Sequence, residues 1–544
     1  MRALLPTIVA TALVFIWTAM SRGQDPRRFL PRETHAVAVV SDYAAASRFY
    51  QPRQGWIERF GLTQGALANG VRGILLRAGV LSADGRTVEL VIFRMANESA
   101  AQSLVVSAGE TLQQRGAQRV GESKAGEPAV WNFAPDEQTP TGQIALHSLD
   151  GWVIIADHAA AVADVAARYP DGEGGWLSQQ KPRAAIELVK QTNRGDVTLE
   201  LFWYFDPFRA LTQAAKLRTD MPMVQETLRI AQRHGLLDVQ ALAGSVLIDS
   251  TGRESARSAA LAPTPLRSSL AMLNALQPAE TWNAPPWLSG SNSAIMLHGD
   301  VPNALAHVDK LFDDTFADGV EGTYVQMLAD LKDPAGLNID LNKELFARLG
   351  PRAYLIHGAH TAERPAPFAM AFETDKPQQV RAAIRTLMVD DEEAKKQTID
   401  GAVGELWVAP GVNTDEDFVL GAINNLALFA NDAEWLASLF QQREDPWASR
   451  MQIQEATKRL VAGRSKPCGF VLRAPENDPK HERSPLALFF RRPDRWWRLQ
   501  AAERDRRVLE NLVPAFSHHR VVALYRESAG WIFVSHSLPA RAKE

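Results

Sequence analysis

The clearest hydrophobic pattern in the chain runs from Pro365 to Phe440. Pro367 to Phe372 (PFAMAF) is an apolar run of strand length, and Asp375 with Pro377 supplies a helix start. Val380, Ile384, Leu387 and Met388 then fall on one helical face. After the charged break at Asp390 to Lys396, Ala402 to Val408 alternates less regularly around Val403, Leu406 and Trp407. Phe418 to Ile423 and Leu426 to Ala430 read as two more strands, separated by Asn424 and Asn425, residues that tolerate positive φ in a tight turn. Asn431 or Asp432 caps a last helix that buries Trp435, Leu436, Leu439 and Phe440. On this reading Asp375, Glu405, Asn424, Asn425 and Asp432 serve as caps, turns or the solvent face of a strand.

The same order of elements occurs earlier, from Thr87 to Tyr169. Val88 to Phe93 is the strand, Asn97 the cap, and Leu104, Val105, Ala108 and Leu112 the helical face. Glu127 to Phe133 stands where Gly404 to Val408 stands later. Ile144 to Leu146 and Trp152 to Ala156 flank Asp150-Gly151, and Asp157 precedes a helix carrying Val162, Val165 and Tyr169. Phe93 matches Phe372 at an offset of 279, Trp131 matches Trp407 at 276, and Ala156 matches Ala430 at 274. Small drifts of this kind are what loop insertions leave between two copies of one unit. Upstream, Ala36 to Val40 before Asp42 resembles Ala294 to Leu297 before Asp300.

These patterns divide the chain into residues 24–183 as a first α+β unit, 184–276 as a middle segment completing the first domain, and 291–442 as a second unit. The Gly-rich, charged stretch 170–183 reads as a linker. The middle segment holds the strand Val197 to Phe205, helical spacing from Leu211 to His234 and the strand Ala241 to Ile248. Residues 277–290 (QPAETWNAPPWLSG) combine three prolines with two tryptophans and read as an extended strap pinned by its indoles. Asp340 to Gly350 is a short helix with a C-cap glycine, followed by the strand Arg352 to His357. In the segment 443–544, Phe470 to Arg473 and Leu486 to Phe490 read as strands, 501–512 as a helix, and Val521 to Tyr525 with Trp531 to Val534 as a hairpin, together a degenerate third unit. The expected fold is α+β: two tandem similar units of mostly antiparallel sheet with helices packed on one face, plus a smaller C-terminal α+β segment.

Composition adds location and charge. Residues 1–23 open with Arg2, continue through an apolar run and end at Ser21-Arg22-Gly23, the pattern of an export signal. An uncleaved anchor over residues 3–20 is the alternative, since the run approaches the length that spans a bilayer. Cys468 is the single cysteine, so no internal disulfide forms and the core alone holds the fold. The net charge of −4 conceals an asymmetry, because residues 443–544 hold 20 Lys and Arg against 12 Asp and Glu.

Pro285-Pro286-Trp287, Leu349-Gly350-Pro351-Arg352, Phe372 to Asp375 and Gly401 to Val408 together resemble a family of uncharacterised exported bacterial proteins, defined only as a domain of unknown function. The resemblance lies mainly in residues 275–440. It implies an extracytoplasmic protein of repeated α+β units and carries no activity or functional residue with it.

No chemical motif stands above its ordinary structural reading. His357 and His360 lie three apart at the end of a strand, where they point to opposite faces, and His518, His519 and His536 lack companion ligands. Ser178-Gln-Gln-Lys181 fits S-x-x-K, yet the S-D-N and K-T-G elements are absent and Pro182 follows. Asp313, Asp314, Asp318 and Glu321 do not alternate as calcium ligands must, and read as a solvated helix end. Gly172, Gly174 and Gly175 miss the dinucleotide pattern at Leu177. The candidate partner or anion surface is Arg491, Arg492, Arg495, Trp496, Trp497 and Arg498, where arginine alternates with indole. An export signal removes nucleic acid from reach, which leaves an acidic patch on residues 1–440, envelope proteins or anionic envelope material as partners.

The expectation is therefore an exported, non-enzymatic binding or envelope-architecture module with no cofactor and no metal. A hydrolase with a site in the groove between the two units, and a membrane-anchored sensor, are the alternatives.

Overall fold

The computed structural model describes residues 25–49, 57–83, 87–121, 127–134, 142–169, 171–190, 197–217, 222–250, 254–262, 264–282, 285–317, 319–358, 367–389, 392–410, 417–441, 466–473 and 520–537. Residues 1–23, the strand expected at 486–490, the helix expected at 501–512 and the Arg491 to Arg498 cluster lie outside the described residues. Helices and antiparallel strands both contribute heavily, so the chain is α+β. Among the described residues no helix is long and apolar enough to cross a membrane. The chain divides into two compact units.

The described residues of the first unit lie within 25–225 and 240–250. Its strands are β1 (Thr34–Val40), β2 (Val71–Leu81), β3 (Thr87–Met95), β4 (Gln118–Val120), β5 (Ala129–Asn132), β6 (Gln143–Leu149), β7 (Trp152–Ala156), β8 (Val197–Phe205) and β9 (Ala241–Asp249). Its helices are α1 (Tyr43–Phe49), α2 (Gln64–Gly70), α3 (Glu98–Gln114), α4 (Ala159–Arg168), α5 (Gln180–Val189) and α6 (Pro207–Leu217). Antiparallel ladders give the order β4-β5-β6-β7-β3-β2-β1-β8-β9. The two positive-φ residues Asp150 (49°) and Gly151 (80°) close the β6–β7 hairpin, as a turn with two left-handed residues requires.

Asn97 starts α3 by accepting the Ala100 N–H. The helix then buries Ala101, Ala108 and Leu112 against Val91, Phe93, Val153, Ile155 and Trp131. Full burial of such a large apolar side chain contributes about 2 kcal/mol. A Cβ at Gly109 would overlap the Trp131 indole, so this glycine is what lets the ring lie on the helix. Residues 170–183 are no loose linker: Trp176 is fully buried, its ring 5.0 Å edge-on from Tyr204. The helix expected after Asp157 is capped by His158, whose Nδ1 accepts the Ala160 N–H, because Asp157 turns inward to accept the Glu89 N–H.

The described residues of the second unit lie within 226–239, 254–473 and 520–537. It holds most of α7 (Pro222–Arg233), with α8 (Val301–Leu305), α9 (Asp309–Phe316), α10 (Thr323–Lys332), α11 (Leu341–Glu344), α12 (Pro377–Met388) and α13 (Ala433–Gln441). Its strands are β10 (Glu254–Leu261), β11 (Ser293–His298), β12 (Arg352–His357), β13 (Phe368–Glu373), β14 (Lys395–Gln397), β15 (Gly404–Pro410), β16 (Asp417–Ile423), β17 (Leu426–Ala430), β18 (Gly469–Arg473), β19 (Arg520–Glu527) and β20 (Gly530–Ser537). The order is β14-β15-β16-β17-β13-β12-β11-β18-β19-β20-β10, again through antiparallel ladders. The C-terminal strands therefore do not form a third unit. β18 pairs with β11 and carries β19 and β20 into this sheet, because a short strand with one apolar face needs a paired neighbour to bury it.

The two ladders agree in register as well as order. Leu90 faces Ala156 in the first sheet, and Ala369 faces Ala430 in the second. The tryptophan match is displaced. Trp131 faces Ile144, whereas the residue facing Phe418, the counterpart of Ile144 at 274, is Ala409 and not Trp407. A shift of two residues keeps both indoles on the same face of the strand.

In the second unit α12 buries Val380, Ala383, Ile384 and Met388 against the face that holds Ala353, Phe372, Ala422 and Ala427. On the opposite face the strap residue Trp287 lies 5.2 Å from Tyr354 and stacks on Phe440 of α13 at 5.6 Å. Helical cover thus comes from both sides. Trp282 meets Phe470 edge-on at 5.0 Å. Asn424 takes a positive φ of 53° and Asp432 accepts the Trp435 N–H, as their positions suggested. Asp375 is not the cap of α12. Lys376 holds that position and Thr374 Oγ1 accepts its N–H. Nor is Gly350 a C-cap, since the turn after α11 ends on Leu349. Glu405 is not on a solvent face either: it is buried, and burial would raise its pKa, but bonds from Lys396 and Arg385 hold it below the usual carboxylate range.

Candidate functional site

Among the described residues of the second unit, a constellation of polar side chains forms where α7 ends. Gly235, at φ 76°, turns the chain sharply after His234, and a Cβ there would overlap the Arg267 carbonyl. Ser268 follows that carbonyl with its own positive φ of 51°, and the His234 carbonyl accepts the Leu270 N–H. This juxtaposition puts the Ser269 hydroxyl 2.8 Å from His234 Nδ1 and Asp314 Oδ2 2.7 Å from His234 Nε2. With a neutral ring, Ser269 donates to Nδ1 and Nε2–H donates to the carboxylate.

Arg233 completes the corner. Its guanidinium lies 3.2 Å from Asp314, 3.8 Å from Asp313 and 3.3 Å from Glu321, and it donates to the Gly319 carbonyl at 3.4 Å. Asp313 accepts the N–H groups of Gly322 and Tyr324, both at 2.8 Å, and so caps the start of α10 from α9. Asp313 and Asp314 are therefore not a solvated helix end. Asp313 is 3% exposed, because the unsatisfied N–H groups of α10 draw it inside. Asp318 lies outside the described residues.

Beside this corner, along α10, runs an open groove of about 660 Å³. Val320, Met327, Leu331 and Leu337 supply its apolar lining, and Glu321 and Asp330 supply carboxylates. Val320 is 62% exposed, whereas Leu331 and Leu337 also pack against the core beneath.

A second charged cluster is closed. In the first unit Arg59 and Arg77 both pair with Glu89, Asp157 lies 3.9 Å from Arg59, and all four side chains are buried. Paired charges of this kind fix neighbouring elements, and removing one partner strands the others. Nearby in chain order, His35 is fully buried and neither ring nitrogen finds a hydrogen-bond partner among the described residues. Burial first, and the Arg209 charge second, push its pKa down to about 3. Cys468 is buried, its thiol pushed up to about 12 by burial, which makes it an unreactive side chain.

The structure separates the residues that sequence motifs put together. Ser178 donates to the Gly175 carbonyl at 2.6 Å, whereas Lys181 reaches Asp206 at 3.4 Å. His357 sits beside Phe368 with its pKa lowered by burial, and His360, His518 and His519 lie outside the described residues, as do Arg491, Arg492, Arg495, Trp496, Trp497 and Arg498. Among the described residues no group of three His, Cys, Asp or Glu side chains converges as a metal site. Sequence reasoning missed His234 with Ser269 and Asp314, since partners 35 and 80 residues away leave no spacing signal. No protein-family model, curated protein or solved structure matches this chain.

Proposed function

We propose that this chain is an exported binding or envelope-architecture module, non-enzymatic, built from two tandem similar α+β units of antiparallel sheet. One observation carries the reading: β1 to β9 and β11 to β19 repeat a nine-strand order, with the same register offsets at β3–β7 and β13–β17. A repeated sheet is a scaffold on which binding surfaces can sit, and the fold itself assigns no activity. The apolar N-terminal stretch supports export, and the resemblance over residues 275–440 agrees with it. The Arg491 to Arg498 cluster is proposed as a docking surface for envelope proteins or anionic envelope material. Cell fractionation with mass determination of the mature N-terminus tests the location. A periplasmic chain beginning near Gln24 supports it, and a chain retained in the cytoplasm refutes it.

A second reading rests on His234. A serine hydroxyl, an imidazole and a carboxylate in hydrogen-bonded sequence are the parts of a nucleophile, its base and the base's orienting group. Against hydrolysis, Ser269 is only 5% exposed and Arg233 already engages Asp314. A fluorophosphonate probe separates the two. Covalent labelling of wild type that is lost in Ser269→Ala establishes the hydrolase; no labelling, with both proteins folded, leaves the corner as a staple between α7, α9 and the turn at Ser269.

A further inference from the structure

We infer that the groove along α10 is a docking site for a cationic amphipathic polypeptide segment, one that sets apolar side chains between lysines or arginines. The inference rests on the binding-module reading and names the surface and the partner chemistry.

Three observations converge on this place. The connection from β11 to β12 (299–351) is the longer counterpart of the connection from β1 to β2 (41–70), so α9 and α10 are where the two like-ordered sheets differ most. That added segment exposes apolar surface that the fold leaves uncovered: Val320 is 62% exposed and Val325 60%. Its charge is one-sided. From Asp309 to Asp340 the chain carries eight acidic residues and only two lysines, Lys310 and Lys332. Some of those acids are consumed internally, Asp313 by the cap on α10 and Asp314 by Arg233 and His234. Glu321 remains 81% exposed at the groove despite its contact with Arg233, and Asp330 is exposed there as well, its carboxylate accepting the Gln326 amide N–H at 2.6 Å.

An apolar floor through Val320, Met327 and Leu331 rewards burial of aliphatic or aromatic side chains. The flanking carboxylates favour cations on the same ligand and repel an acidic one. An amphipathic helix laid in a groove presents this combination. An anionic lipid surface or a nucleic acid carries the same negative sign as the groove and is disfavoured. The Asp313 cap and the Arg233 pairs hold α10 in place, so the groove is formed before the partner arrives.

The test uses the full chain and a fluorescein-labelled, 18-residue Leu/Lys amphipathic peptide, with a Leu/Glu peptide of the same spacing as control. Anisotropy should report saturable, salt-sensitive binding of the Leu/Lys peptide, weaker by about tenfold or more for the Leu/Glu peptide. Val320→Lys and Asp330→Lys both alter exposed positions, so folding is retained, and each should weaken binding by about tenfold. Equal binding of the two peptides, no binding of either, or binding undiminished in both variants overturns the groove proposal. Those outcomes leave the tandem-module reading to its own tests of location and probe labelling.

Discussion

His35 offers a prediction whose magnitude follows from its burial. Its ring is fully buried on β1, without a hydrogen-bond partner among the described residues and with the Arg209 charge near it. Burial, reinforced by Arg209, lowers its pKa to about 3, against an ordinary value of 6.5. Well above pH 6.5 the imidazole is neutral whether the chain is folded or not, and contributes nothing to pH dependence. As pH falls, the unfolded chain takes up a proton that the folded chain refuses, so stability is lost from about pH 6.5 down towards pH 3. At pH 5 the loss is about 2 kcal/mol. His35→Leu removes this linkage and suits the apolar site. Urea unfolding of both proteins at pH 7.5 and pH 5 measures it, since every other titrating group is common to the pair. The stability of His35→Leu relative to wild type should rise by about 2 kcal/mol on going to pH 5. Parallel pH profiles for the two proteins would refute the reasoning.

Two further substitutions test particular contacts. Gly109→Ala should gain about 1 kcal/mol from helix propensity but lose more, because the methyl overlaps the Trp131 indole, so the variant unfolds at lower denaturant. Adding Trp131→Leu should make the alanine favourable again, and a simply additive double mutant contradicts the overlap. Asp313→Ala leaves the Gly322 and Tyr324 N–H groups without their acceptor and should cost about 1–2 kcal/mol, with Asp313→Asn intermediate. A variant within about half a kcal/mol of wild type would show that Asp313 does not hold α10.

Much of the fold was legible because its signals are local. Val88 to Phe93 and Trp152 to Ala156 are apolar runs of strand length, Asp150-Gly151 is a turn wherever it occurs, and Asn97 and Asp432 cap helices through their own next residues. Pairing was less visible. Nothing local says that β18 joins β11, because that ladder links Phe470 to Met296 across a long stretch of chain. Polar residues were misread where a distant charge called them inward. Glu405 follows Arg385 and Lys396, and Asp157 follows the backbone of Glu89. The His234 corner stayed hidden for the same reason. The continuous helical spacing from Leu211 to His234 resolves into α6 and α7, and only the fold brings the end of α7 to Ser269 and Asp314.

The proposal that the two sheets are copies of one unit is tested most directly by a crystal structure of the full chain. Superposing Leu90 on Ala369 and Ala156 on Ala430 should bring β1 to β9 onto β11 to β19 strand for strand, with each inward side chain facing its counterpart's core. A fit that demands a one-residue slip in β3 or β7 would turn their side chains to the opposite face and contradict the account.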